Sequence, residues 1–254
     1  MISSKSIRKK ILELCKNSQE GHIASSFSIV EILIAIHFVD RKHFNSKWFE
    51  NIVLSKGHAV YALYGLVSFL EGGSEILNDG VGSVGSKLIG HVPQIFEIGL
   101  SCGTGSLGHG LPFALGRAFA LEKSSKRRIH VIVGDGEMNE GTFWESINLL
   151  QKFPLLRINI YIDANGSSDR AIPMAKGLIA LRQAYGAIDV NGHDLSALCF
   201  TINDKINESG SNIIICATQK GYPISEIIND PSWHHRVPSE IECNHFISQL
   251  DREI

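Results

Sequence analysis

Ile129-His130-Val131-Ile132-Val133-Gly134-Asp135-Gly136 and, further on, Ile158-Asn159-Ile160-Tyr161-Ile162-Asp163-Ala164-Asn165-Gly166 are the stretches that decide the fold. Each is a short apolar run that breaks off at a glycine-containing turn, and a single helical stretch lies between them. A strand apolar on both faces is one buried on both faces, as in a parallel sheet. Outward from this pair, further strands are predicted at 51–54, 187–190 and 213–217. Helical spacing predicts helices at 4–15, 28–39, 59–71, 111–123, 139–151, 176–185, 194–208 and 239–252. Strands that alternate with helices imply an α/β fold, a parallel sheet covered by helices on both faces, with ligands at the carboxyl ends of the strands. Residues 1–254 read as a single domain with a C-terminal tail segment at about 219–254. Residues 72–110 hold many of the glycines and read as a long working loop.

Composition narrows the function classes. With 254 residues, 44% apolar and 20% charged, the chain is neither disordered nor fibrous. A net charge of -2 offers no footprint for a nucleic acid, and the basic runs Arg8-Lys9-Lys10 and Lys123-Lys126-Arg127-Arg128 read as solvated helix ends. Five cysteines, odd in number and without a C-x-x-C pair, argue against a disulfide framework or a zinc site. No signal peptide and no stretch of about 20 apolar residues is present, which predicts a cytoplasmic protein without a membrane anchor.

Gly134-Asp135-Gly136 sits where a buried strand gives way to a helix. The glycines let backbone approach an anion, and Asp135 faces the strand-end crevice. Magnesium takes about six oxygen ligands, commonly one or two protein groups plus phosphates and water. Asp135 supplies a carboxylate, Asn165 at the end of the adjacent strand supplies an amide oxygen, and the Ser167 carbonyl is a third candidate. Either turn alone is common. A dinucleotide fold is the competitor, but no G-x-G-x-x-G follows the first strand, and an aspartate in the turn repels a pyrophosphate that lacks a cation.

The run Gly134-Asp135-Gly136-Glu137-Met138-Asn139-Glu140-Gly141, followed by Trp144-Glu145 and Asp163-Ala164-Asn165-Gly166, resembles the thiamine diphosphate signature of transketolases. Gly21-His22, Leu54-Ser55-Lys56-Gly57-His58, Gly90-His91, Gly103-Thr104-Gly105-Ser106-Leu107-Gly108-His109-Gly110 and Pro231-Ser232-Trp233-His234 follow that family's order along nearly the whole chain. The likeness is greatest to the separate N-terminal subunits of split transketolases.

The resemblance implies the thiamine diphosphate-binding fold, with thiamine diphosphate and Mg2+ as cofactors and Ca2+ or Mn2+ as substitutes. It implies Asp135, Asn165 and Ser167 as metal ligands. Gly134, Gly136, Glu137, His58 and His234 would surround the diphosphate, and Gly105 and Leu107 the aminopyrimidine. His22, His58, His91 and His234 would face the sugar, His235 being the alternative to His234. Glu140 and, more weakly, Glu145 would relay protons at a subunit interface. Such an enzyme moves a two-carbon ketol unit from a ketose or ketose phosphate to an aldose.

In that family the glutamate that activates the aminopyrimidine belongs to a pyrimidine-binding domain that has no counterpart in this chain. A C-terminal transketolase-like partner subunit in an α2β2 assembly is therefore expected. Gly21-His22-Ile23-Ala24-Ser25-Ser26 lacks the proline and glycine that usually follow the family's histidine, which leaves room for sugars other than the pentose phosphates. Alternatives are a subunit of a deoxyxylulose-phosphate synthase-like or 2-oxo acid dehydrogenase-like enzyme, or a noncatalytic cofactor-holding subunit.

Overall fold

The computed structural model describes residues 2–46, 49–78, 80–121 and 126–252. Five strands, β1 (Ile52–Leu54), β2 (Ile129–Gly134), β3 (Ile158–Ala164), β4 (Ile188–Asn191) and β5 (Asn212–Ala217), form one sheet in the order β1-β2-β3-β5-β4, and every neighbouring pair is parallel. The five predicted strands and the α/β class are all present. Side chains alternate between the faces, as the two-residue period requires. Val131, Val133, Ile160, Ile162, Ile213 and Ile215 enter one core, while Ile132, Tyr161, Ile214 and Cys216 enter the other.

The first core is roofed by α6 (Gly110–Ala120), α7 (Gly141–Lys152) and α8 (Ala175–Tyr185). The second is roofed by α1 (Ser4–Ser18), α2 (Ile23–Phe27), α3 (Val30–Phe44), α4 (Val60–Val67), α9 (Leu195–Lys205) and α10 (Glu240–Arg252). The predicted helix at 28–39 proves longer and is preceded by the separate short α2, because the chain turns at Ser28-Ile29 before α3 begins. Helix α3 ends at Asn45, which takes the left-handed backbone (φ 52°) that favours asparagine and glycine. The predicted helix at 59–71 begins in a 3-10 turn (Gly57–Ala59) and stops at Val67. The 72–110 segment includes α5 (Gly73–Leu77) and packs Val81, Leu88, Val92, Ile98 and Leu100 into the core. The tail packs as well, with Trp233 edge-on to Phe246 of α10 in the same core.

Two basic runs are not what their composition suggests. Arg8 is buried and makes a two-pronged ion pair with Glu31 at 2.6 and 2.8 Å. Arg128 is fully buried, donating to the carbonyls of Gly210 (2.7 Å) and Glu208 and to Asn159 Oδ1 (3.1 Å). Each guanidinium satisfies oxygens that the fold would otherwise strand, which its fork of donors suits. Lys123 lies outside the described residues. No helix among the described residues is long and apolar enough to cross a membrane.

Candidate active site

Because Gly134 is in register with Asp163, and Asp163 with Cys216, the ends of β2, β3 and β5 are level. With β1 beside them, four adjacent strands open into one cleft of about 710 Å³. Strand β1 runs out into Lys56 and His58, β2 into Asp135, β3 into Asn165, and β5 into Lys220. This is the carboxyl edge where α/β sheets bind ligands. His22, His58, His91, His234, Leu107, Gly134, Asp135, Gly136, Glu137, Asn165 and Ser167 all line the cleft. Gly105 stands behind His91, whose Cδ2 would lie 3.3 Å from a Cβ added there. Glu140 and Glu145 do not line the cleft. Glu140 packs under Gly108, and Glu145 is exposed on α7.

Asp163 is the hub beneath the cleft. Fully buried, it accepts from the Lys56 ammonium, the Thr218 hydroxyl, the Ser28 hydroxyl (2.8 Å) and the Asn165 amide nitrogen (2.9 Å). Burial pushes its carboxyl up, and Lys56 and the hydroxyls overcome that to hold it below the usual carboxylate range. With its nitrogen committed to Asp163, the Asn165 amide must turn its oxygen outward. That oxygen takes the Ser167 N–H at 3.0 Å and keeps a second lone pair.

Glu137 lines the cleft and also holds its wall together. Its buried carboxylate accepts from Ser55 Oγ (2.5 Å), Gly134 N (2.8 Å) and Gly108 N (3.0 Å), tying three loops of the wall to one another. Ser55 also receives Gly110 N at 3.1 Å.

Asp135 is 5% exposed, and among the described residues it has no ion-pair partner. Burial first, then the neighbouring Asp163, push its carboxyl up, against the pull of Lys56. A cation beside it would relieve that penalty. The donors nearby are hard oxygens, and no cluster of three His, Cys, Asp or Glu side chains suited to a metal occurs among the described residues. A metal here would complete its shell with oxygens of an anionic ligand, the habit of magnesium. Two cleft hydroxyls, Ser25 Oγ and Ser168 Oγ, are buried and without a partner. A Cβ added to Gly136 would touch only Ser168 Cβ, at 3.8 Å, so its backbone faces open space. The residues fit a metal-bridged diphosphate.

At the mouth, the His22 ring lies 5.4 Å from His58, 5.7 Å from His91, 5.4 Å from His234 and 4.5 Å from His235. Burial, then the other imidazoles, bring His22 down to about 3, so it is neutral near pH 7. His58 and His234 are lowered too, mainly by burial and then by Lys56 and Lys220 respectively. His22 adopts a left-handed backbone (φ 68°), a strained position for a side chain of its size. The choice between His234 and His235 resolves by position. His234 lines the cleft with Nδ1 2.7 Å from Lys220 Nζ, while His235 packs against His22.

Lys220 is the residue sequence reasoning missed. It is 8% exposed, lines the cleft, and is brought down to about 8 by burial and then by Lys56. Its place one turn beyond the fourth strand end was the available signal. His109 stays local, its Nδ1 3.0 Å from the Leu107 carbonyl.

A parallel sheet whose strand ends open on a cleft lined by a carboxylate, an amide oxygen, a buried amine and four imidazoles is an α/β site suited to a metal-bridged anionic ligand. Residues 2–238 match the family described as "Transketolase, thiamine diphosphate binding domain", and the chain belongs to that family. It is similar to one subunit of the apulose-4-phosphate transketolase of Actinobacillus succinogenes, 33% identical over 98% of this chain and 95% of the relative. It is also similar to the transketolase of Homo sapiens, 30% identical over 92% of this chain but only 39% of that enzyme. The transketolase from Leishmania mexicana shares the fold, with a TM-score of 0.82 and 20% identity over 99% of this chain and 42% of that one.

Proposed function

We propose that this chain is the cofactor-holding N-terminal subunit of a two-chain transketolase that moves a two-carbon ketol unit from a ketose or ketose phosphate to an aldose. The observation that carries the reading is the convergence of unlike chemistries at four adjacent strand ends. Asp135, Asn165 and the Ser167 carbonyl hold Mg2+. The Gly136 amide, His58, His234 and Lys220 hold the diphosphate, and Leu107 with Gly105 borders the aminopyrimidine. Thiamine diphosphate held there would supply a nucleophilic carbon and a sink for the electron pair released when the ketose C–C bond breaks.

The residues of the chain do the rest. His22, His58 and His91 give and take hydrogen bonds from the sugar's carbonyl and hydroxyls and move protons between them. Glu140 lies off the cleft at the start of α7, a place suited to relaying protons across a subunit contact rather than to touching sugar.

The Actinobacillus succinogenes relative is itself named as a subunit, which supports a separate second chain. In this reading the second chain carries the pyrimidine-binding domain, and the two form an α2β2 assembly in the cytoplasm. The experiment is reconstitution. The purified chain with thiamine diphosphate and Mg2+ has no ketol transfer, and activity appears on adding the second chain. Full turnover by the lone chain refutes the split reading, and cofactor binding without turnover by the pair favours a noncatalytic holder.

A further inference from the structure

The fifth strand end also serves the cleft, indirectly. The turn that follows β4 carries His193, which reads from sequence as an ordinary structural or surface histidine. Its Nε2 lies 2.8 Å from the Gln219 backbone nitrogen, and its Nδ1 lies 3.3 Å from Glu31 Oε2. A backbone N–H can only donate, so Nε2 is the bare nitrogen, and the ring's proton sits on Nδ1 and points at Glu31. Tyr222 stacks on the ring at 4.0 Å, which fixes its plane. Next door, Gly192 N donates to the Ala217 carbonyl at 2.8 Å, and a Cβ there would strike Thr218 Cγ2 at 2.3 Å. The β4 turn therefore clamps residues 217–219, and Lys220 is the next residue along.

We infer that His193 is a positioning residue: through Gln219 it holds the backbone that delivers Lys220 to His234 and to the anion end of the cleft. The geometry leaves it no direct role, because both ring nitrogens are committed and it does not line the cleft. Gln219 is exposed, so water can replace the imidazole on its N–H, and losing the bond frees the backbone without unfolding the chain. The inference rests on reading the cleft as a diphosphate site.

Two substitutions separate the ring's two bonds. His193→Gln places an amide oxygen near the old Nε2 and can still accept from Gln219. His193→Asn places an amide N–H near the old Nδ1, keeping Glu31 and losing Gln219. Thiamine diphosphate with Mg2+ is titrated calorimetrically into the chain combined with its partner subunit, and thermal unfolding of the ligand-free variants is followed in parallel. The expected result is affinity within about twofold of wild type for His193→Gln and a loss of about fivefold for His193→Asn, the size of coupling within one hydrogen-bonded network. In a Lys220→Met background the His193→Asn loss disappears. Equal affinities for the two variants, or losses that add in the Lys220→Met background, overturn the inference. Should wild type itself not bind thiamine diphosphate, the reading of the cleft fails instead, which the same titration reveals.

Discussion

Replacing Lys220 by methionine makes the ligand-free chain more stable and its cleft worse at holding an anion. An amine with an ordinary value near 10.5 that the fold brings down to about 8 is charged at pH 7 in both the folded and unfolded states, but unfavourably so in the folded one. That difference amounts to about 3 kcal/mol, at 1.36 kcal/mol for each tenfold change in the proton equilibrium. Methionine removes the buried charge and also the contact with His234 Nδ1, worth about 1 kcal/mol. The expected net gain is about 2 kcal/mol, or about 5 °C in Tm for a chain of this size. In wild type the penalty is present below pH 8 and is relieved as pH rises from about 8 toward the unfolded value, so the stability gap between wild type and variant narrows over that range. Binding runs the other way. A charge-assisted hydrogen bond contributes about 1.5–3 kcal/mol, so thiamine diphosphate affinity falls roughly ten- to hundredfold. Calorimetry in buffers of different ionisation enthalpy shows wild type taking up protons on binding near pH 8 to 9, and the variant taking up fewer. Unchanged affinity, or a variant less heat-stable than wild type, refutes the reasoning.

Asp135→Ala removes the carboxylate that faces the cleft, and thiamine diphosphate titrations with and without Mg2+ then become indistinguishable. A persisting Mg2+ dependence would remove the metal assignment. Glu31→Gln strands the buried Arg8 charge and costs about 3–5 kcal/mol in denaturant unfolding. Although burial pushes Glu31 up, His193 and Arg8 hold it down to about 2, so the pair's contribution is full above the ordinary carboxylate range and is lost as pH falls to about 2, a dependence the variant lacks. Gly110→Ala places a Cβ 2.4 Å from Ser55 Oγ and 2.6 Å from Ser55 Cα, and backbone must shift. A loss of about 1–3 kcal/mol is expected, with weaker cofactor binding because Ser55 and Glu137 are displaced together.

The centre of the sheet was legible because β2 and β3 are apolar runs buried on both faces that break off at glycine-containing turns, a pattern that states both secondary structure and burial. The two residues proposed to hold the metal were placed together for the same reason: Asp135 and Asn165 each sit just past a strand end, and β2 and β3, joined through α7, are paired. What was not legible depends on partners far away in sequence. Arg8 and Arg128 look like surface charges until Glu31 and the carbonyls of 208 and 210 close around them. Glu137 looks like part of a ligand signature, and nothing along the chain shows that its carboxylate also ties Ser55, Gly108 and Gly134 together. Lys220 has no motif around it. Its place just past a strand end was a signal in the sequence, but that β5 lies beside β3 and opens on the same cleft was not.

The electrostatics of the cleft argue for its occupant more specifically than its shape does. Asp135 is pushed up and Lys220 down, each chiefly by burial, and no described residue forms an ion pair with either. Had the two been meant only to stabilise the fold, pairing them with each other would have relieved both. They are instead kept apart along one cleft, beside an amide oxygen turned outward by Asp163 at one end and a neutral imidazole at the other. A lone cation would satisfy Asp135 and aggravate Lys220, and a lone anion would do the reverse. A ligand carrying both signs, such as the metal-bound diphosphate proposed above, would relieve the two together, and the stability given up in the ligand-free chain would become affinity for it.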